Sequence, residues 1–346
     1  MNYEAPIWLP GGHAQTIWSA LVARRTRSGR PDYVRERWDT PDGDFLDVDH
    51  LKVPLGRALP AERPLLVVFH GLEGSSRSHY SEAFAETAQQ RGWACAFPHF
   101  RGCSGDVNLA PRAYHSGDFA EVDWVLRRFR TRHRGPLMAV GVSLGGNALL
   151  RWAAEVGHEA RRSVDVVASI CAPLDLAAGG RAIGQGLNRH MYTRMFMRTL
   201  VPKALCKLAQ HPGLFDGQAL LDARDLYDFD NVFTAPVHGF KNTEDYWDRA
   251  SALPLLADIR VPALAVNARN DPFVPLHSLP KQHNVGRSVT LWQPAQGGHV
   301  GFPQGRLPGH LRAMPEAVGD WLMQHVTSAA MPHMPQVTQW GDGRHR

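Results

Sequence analysis

Several features are scarce or missing in this 346-residue chain, and each absence excludes something. Only four cysteines occur, Cys95, Cys103, Cys171 and Cys206, with no C-x-x-C pair and no metal-ligand spacing. That excludes a disulfide scaffold and a zinc module, and it points to free thiols in a reducing, cytoplasmic setting. No apolar run approaches the ~20 residues that a membrane-spanning helix needs. The opening residues, MNYEAPIWLPGGHAQTIW, hold no basic stretch followed by an apolar one, so no signal peptide is expected. There is no Walker A run, no G-x-G-x-x-G after a strand and no H-E-x-x-H, so neither a nucleotide nor a metal cofactor is expected. The net charge is +5, but the basic residues are nearly all scattered arginines, and the densest cluster, ARRTRSGR, is short. Nucleic-acid binders gather their charge on one face or in one run, so no nucleic-acid partner is expected.

What remains is an ordinary soluble composition, 44% apolar and 21% charged. A single hydrophobic core usually stops growing near ~250–300 residues, so a chain of this length implies one large domain with an insertion, or two domains. Short apolar runs alternate with amphipathic ones. RPLLVVFH, WACAFPHF, PLMAVGVS, SVDVVASICAP, VPALAVNARND and SVTLWQ read as strands. Helical patterns separate the first four, and PGHLRAMPEAVGDWLMQHV reads as a last helix. Continuously apolar strands alternating with helices imply a mostly parallel sheet covered on both faces. Upstream, YVRERWDTPDGDFLDVDHLKV alternates about a Pro-Asp-Gly-Asp turn and reads as an antiparallel hairpin. Residues 177–250 break the rhythm and read as an insertion, and AAMPHMPQVTQWGDGRHR, which lacks periodicity, reads as a loose tail.

One stretch, LMAVGVSLGGNALLRWAA, carries chemistry. Gly141-Val142-Ser143-Leu144-Gly145 joins a strand to a helix, the setting that a G-x-S-x-G nucleophile elbow requires. The turn must lift the hydroxyl above the carboxyl edge of the sheet, and side chains at the flanking positions would clash with neighbouring backbone. A serine hydroxyl is a weak nucleophile without a base and an orienting acid, which on such a sheet follow in the order serine, acid, histidine. Asp271, in the loop after VPALAVNARND, is the best acid; Asp258 is the alternative but precedes its strand. His299, in the glycine-rich loop after SVTLWQ, is the best base, because His13, His115, His211, His238 and His283 lack that setting. The backbone amides of Leu72, after the strand ending His70-Gly71, and of Leu144 are the candidate oxyanion donors. Cys103 and Cys171 fall near strand ends facing the same edge and read as small core residues. Arg101 and Asp106 flank a glycine-rich loop, where they either line the pocket or pair with each other.

The segments FHGLEGSS, FPHFRGCSG, YHSGD, GVSLGGN, ARNDPFVP, GGHVGF and the early GGHAQTIW resemble the YheT-type branch of the α/β-hydrolase family, over residues 7–327. The resemblance implies an α/β-hydrolase core with a helical cap. It also implies esterase or lipase activity on carboxylic esters, with Ser143, Asp271 and His299 as the charge relay. The division that follows is core over 1–176 and 251–327, cap over 177–250 and flexible tail over 328–346. The expected partner is a small-molecule ester or lipid. Acyl transfer or thioester hydrolysis would use the same residues, and a non-catalytic binding protein on a hydrolase scaffold would lack part of the relay. Within the insertion, GLNRHMYTRMFMRTLVPKALCKLAQ mixes methionines with basic residues. Met195 and Phe196 are the candidate acyl-pocket residues, since flexible methionines suit varied apolar chains. The basic border suits at most a peripheral contact with anionic lipid, and Pro202 argues against one continuous helix there.

Overall fold

The computed structural model describes residues 2–27, 29–52 and 60–330, with side chains to residue 326. Helix α1 (Gly12–Leu21) comes first, followed by strands β1 (Tyr33–Asp39) and β2 (Phe45–Leu51). Then β3 (Leu65–Phe69), α2 (His79–Arg91), β4 (Ala94–Pro98), α3 (Phe119–Arg132), β5 (Leu137–Val142), α4 (Leu144–Glu155) and β6 (Val166–Ile170) alternate. A helical cap follows, including α5 (Leu176–Ile183), α6 (Arg194–Gln210) and α7 (Thr243–Ala250). The chain then returns through β7 (Ala263–Val266) and β8 (Val289–Trp292) to α8 (Ala313–Ala330).

The eight strands form one sheet in the order β1-β2-β4-β3-β5-β6-β7-β8. β1 and β2 are antiparallel about the turn at Gly43, β2 meets β4 antiparallel, and every later pairing is parallel. The period-two geometry of a strand explains the unbroken apolar runs. In β3, Leu65, Val67 and Phe69 face the core under α3 and α4, while Leu66 and Val68 face the core under α2 and α8. β5 divides in the same way, Leu137 and Ala139 to one side, Met138, Val140 and Val142 to the other. A strand buried on both faces has no polar register, and each fully buried Val or Leu side chain contributes about 1.5–3 kcal/mol. The cap keeps a small core of its own around Leu200, Ala204, Leu220, Phe229 and Phe233. No helix among the described residues is long and apolar enough to cross a membrane.

Two sequence expectations need correction. Helix α6 runs unbroken through Pro202. Pro202 lies on the exposed side of the helix, where solvent can replace the hydrogen bond that proline cannot make. The last helix starts at Ala313 and extends to Ala330, past the expected start of the tail at 328, and residues 331–346 lie outside the described residues. Helix α1 docks against the loops that follow β7 and β8, through Gln15 and Thr16.

Arg101 and Asp106 do pair, but with other partners. Asp106 meets Arg37 at 2.5 Å on the surface. Arg101 is buried and donates to Glu121 at 2.5 Å, Asp44 at 2.7 Å and Asp42 at 2.8 Å. One guanidinium thus ties the hairpin turn and α3 to the loop after β4. Burial pushes the Glu121 carboxyl up, to about 7. Replacing Arg101 by methionine strands buried carboxylates without their cation. We expect a loss of about 3–5 kcal/mol, read as a lower urea midpoint with an unchanged slope.

Candidate active site

The candidate nucleophile sits in a backbone conformation that few side chains tolerate. Ser143 joins β5 to α4 with φ 52° and ψ −117°. Its N–H donates to Ile170 O at 2.8 Å, and its carbonyl accepts from Gly146 at 2.9 Å. The turn is sharp because α4 starts almost in contact with the sheet. A Cβ on Gly145 would lie 2.5 Å from His70 O, and one on Gly146 would lie 2.6 Å from Ser169 Oγ. A Cβ on Gly141 would lie 2.7 Å from Gly146 Cα. Such distances exclude any side chain at these three positions without a backbone shift.

The structure brings Ser143, His299 and Asp271 together from the carboxyl ends of β5, β8 and β7. Ser143 Oγ lies 3.0 Å from His299 Nε2, and His299 Nδ1 lies 2.8 Å from Asp271 Oδ2. An ionised carboxylate only accepts, so the Nδ1 proton belongs to the histidine and Nε2 is left to accept from the serine. Asp271 is buried, and its other oxygen accepts from the Phe273 amide at 2.8 Å and the Val274 amide at 3.3 Å. The Phe273 ring stands 4.3 Å from the His299 ring and fixes its tilt. The alternative acid, Asp258, is exposed and pairs loosely with Arg260 at 3.8 Å.

The amides of Leu72 and Leu144 donate to no acceptor among the described residues. Leu144 opens α4, so its N–H belongs to the electropositive end of that helix. The Leu72 loop is held from below by His70, whose Nδ1–H donates to Gly71 O at 2.7 Å and whose Nε2 accepts from Phe100 N at 3.0 Å. Burial, then the neighbouring His99, lowers the His70 pKa to about 3, so it stays neutral and keeps both bonds. The loop and the serine touch: a Cβ on Gly71 would lie 3.1 Å from Ser143 Cβ.

Above Ser143 opens a cavity of about 1140 Å³, part of it continuous with solvent. Leu72 and Leu144 form its floor, and Ile183, Phe196, Leu200, Ala204, Phe229 and Phe233 of the cap form much of its wall. Phe196 therefore lines the cavity. Met195 does not: it is 53% exposed and borders a shallow surface hollow with Met191, Arg194 and Arg198. Adjacent residues of a helix point about 100° apart, so 195 and 196 cannot share one narrow wall.

Some residues that build the site were not singled out in the sequence. Thr16 Oγ1 accepts the His299 N–H at 2.8 Å. Gln15, fully buried, accepts from Asn270 at 3.0 Å and from the Gly297 amide at 2.9 Å. The segment GGHAQTIW therefore supports the histidine loop from 280 residues away; its only signal was the family resemblance. Asn147, one turn into α4, donates to Ser116 O and Ala250 O at 2.9 Å each and accepts from Ala252 N at 3.0 Å. It ties the start of α4 to the exit of the cap.

Among the described residues, one group is compact enough to share a metal ion: Cys171, Asp271 and His299, with ligand atoms within 4.8 Å of one another. Burial and the nearby Asp271 push the Cys171 thiol well up, whereas a metal ligand is a thiolate. Burial likewise pushes Cys103 up, to about 12.

Comparison with known proteins adds four findings. A family model for the alpha/beta hydrolase fold matches residues 64–305. YheT of Escherichia coli, provisionally named an esterase, is 36% identical over 317 residues, 91% of each chain. Human phospholipase ABHD3 is 25% identical over 318 residues, 89% of this chain and 75% of the human protein. Among solved structures, Est1E from Butyrivibrio proteoclasticus with ferulic acid bound matches with a TM-score of 0.53 at 16% identity, covering 86% of this chain and 99% of Est1E, a likeness of fold.

If α4 must start where it does, Gly145→Ala forces it away from His70 and misaims Ser143. The rate of labelling by a fluorophosphonate is expected to fall at least about tenfold, because even ~1 Å of misplacement is costly. An unchanged rate would show that the close approach is not needed for reactivity.

Proposed function

The chain belongs to the alpha/beta hydrolase fold family, in its YheT-type branch, and is an ester hydrolase of the esterase and lipase type; from that premise we propose that it works through an acyl-enzyme on Ser143. The observation that carries this reading is the hydrogen-bonded line from Ser143 through His299 to Asp271 at the floor of an apolar cavity. Ser143 Oγ attacks the ester carbonyl as its proton passes to His299 Nε2. Asp271 holds the imidazole by Nδ1–H and stabilises the imidazolium that forms. The carbonyl oxygen, now negative, accepts from the Leu72 and Leu144 amides, which are vacant for it. The tetrahedral intermediate then collapses, and the departing alkoxide takes the proton from His299 and leaves as the alcohol. A water molecule, losing its proton to the same nitrogen, attacks the acyl-serine; the acyl–Oγ bond then breaks, the acid leaves, and Ser143 Oγ takes the proton back from His299.

The preorganised donors matter because the relay is largely buried, with the Asp271 side chain fully covered and that of His299 10% exposed. Each oxyanion donor removed from such a site costs about 10²–10³ in kcat. The cavity walls are chiefly aromatic and aliphatic, although Glu73, Arg101, Lys203, Lys207 and Asp230 also line it, which supports an acyl chain of several carbons as a part held beneath the cap.

Two measurements test this. A fluorophosphonate is expected to label the protein once, at Ser143, and Ser143→Ala to abolish labelling and turnover together. Asp271→Ala and His299→Ala should each cost about 10⁴-fold in kcat, and the double variant little more, because the three groups act as one unit. Losses that multiply, or a label elsewhere, would overturn the assignment. Chain-length preference tests the cavity. Ala204→Phe fills part of it, so the longest acyl esters should lose about tenfold in kcat/KM relative to short ones, about two methylenes' worth of burial. Met195→Ala should leave the preference unchanged; a shift there would return Met195 to the pocket.

A further inference from the structure

We infer that Lys203, on the cap, is a positioning residue for the reaction: through its ion pair with Glu73 it holds the Leu72 amide in place to receive the oxyanion. The inference rests on the role proposed for that amide. Glu73 directly follows Leu72 and has φ 57°, the left-handed region that a glutamate rarely enters. Such a conformation costs about 1–3 kcal/mol and persists only if its surroundings enforce it.

Tyr114 and Lys203 help to enforce it, beside Cys103 Sγ at 3.9 Å from Glu73 Oε1 and the Gly74 N–H, which donates to Gly71 O at 2.9 Å and closes the turn. The Tyr114 hydroxyl accepts the Glu73 N–H at 2.9 Å and donates to Glu73 Oε1 at 2.9 Å, which closes a ring between backbone and side chain. Lys203 Nζ meets Glu73 Oε2 at 2.8 Å. Tyr114 is itself fixed, stacked on Phe100 with centroids 5.4 Å apart. The carboxylate is 8% exposed, so its charge is hardly compensated by water. The oxyanion loop is thus anchored from two directions. His70, from the core, grips the carbonyl of Gly71 just before Leu72. Lys203, from the middle of α6, grips the side chain just after it.

Without Lys203, Glu73 keeps a nearly buried negative charge with no cation against it. The side chain then gains by turning towards solvent, which breaks the ring to Tyr114 and lets the strained backbone relax. The Leu72–Glu73 peptide relaxes first, and the adjoining Gly71–Leu72 peptide, which carries the Leu72 N–H, turns with it. The cap would therefore belong to the catalytic apparatus as well as to the pocket wall.

The test is a double-mutant cycle on a short-chain ester, which reaches little of the cap's apolar wall. Lys203→Met and Glu73→Gln are each expected to lower kcat by about 10- to 100-fold, below or at the loss of one oxyanion donor, with KM changed less than about twofold. The double variant should be no worse than either single one, and Lys203→Arg should restore most of the rate. Fluorophosphonate labelling should still occur at Ser143 but slow in step with kcat, since the phosphonyl oxygen uses the same donors. If Lys203→Met does not fold, Glu73→Gln, which keeps the shape of the side chain, carries the test. Full kcat in both variants, a loss confined to KM, or losses that multiply would overturn the inference. Labelling away from Ser143 in the wild-type protein would instead overturn the nucleophile on which it stands.

Discussion

The site depends on how closely one helix approaches one sheet. Helix α4 begins where β5 ends, with its first turn against the backbone at the ends of β3 and β5 and the Ser169 side chain of β6, and only glycine fits at the three contact points. That contact sets the left-handed turn at Ser143, lifts its hydroxyl above the carboxyl edge, and points the first free amide of α4 along the same direction. The rest of the site is a set of loops arranged around this fixed point. Strain at the serine is affordable because the parallel strands below it are buried on both faces and cannot shift to relieve it.

Around that point, polar side chains are used to hold loops rather than to titrate. His70 is neutral and donates on one side while accepting on the other, a role that a protonated ring would break. His115 lines the cavity and is likewise kept neutral, its pKa lowered by burial to about 3. Two thiols beside the site, Cys103 and Cys171, are held protonated by the same exclusion of water. Where burial lowers the local dielectric, a fixed amide dipole stabilises charge more strongly than it would in water.

The sequence made the sheet and the placement of its candidate residues readable for a simple reason. Buried parallel strands are continuous apolar runs, and the turns after β5, β7 and β8 carry Ser143, Asp271 and His299 in an order that topology constrains. The elbow glycines were readable because their spacing is rigid. The cap was legible only as an interruption. Apart from α6 its helices are short, and π-type turns at Arg189–Thr193 and Asp230–Thr234 interrupt the period, so no single repeat reports which face is inward. That is why Phe196 and its outward neighbour Met195 looked alike. Pro202 misled because propensity marks the cost of a proline and not whether the surroundings absorb it. Thr16, Gln15 and Lys203 were invisible as site residues because their partners lie far away in the chain, at 299, 270 and 73. No local pattern encodes a contact of that range.

The hydrogen bonds from α1 to the histidine loop have a consequence for how the protein comes into being. Thr16 and Gln15 are joined to the chain 283 and 282 residues before His299 and Gly297. The histidine loop can dock on α1 only once β8 and the loop after it have been made, so the proposed base is the last of the three relay groups to be synthesised.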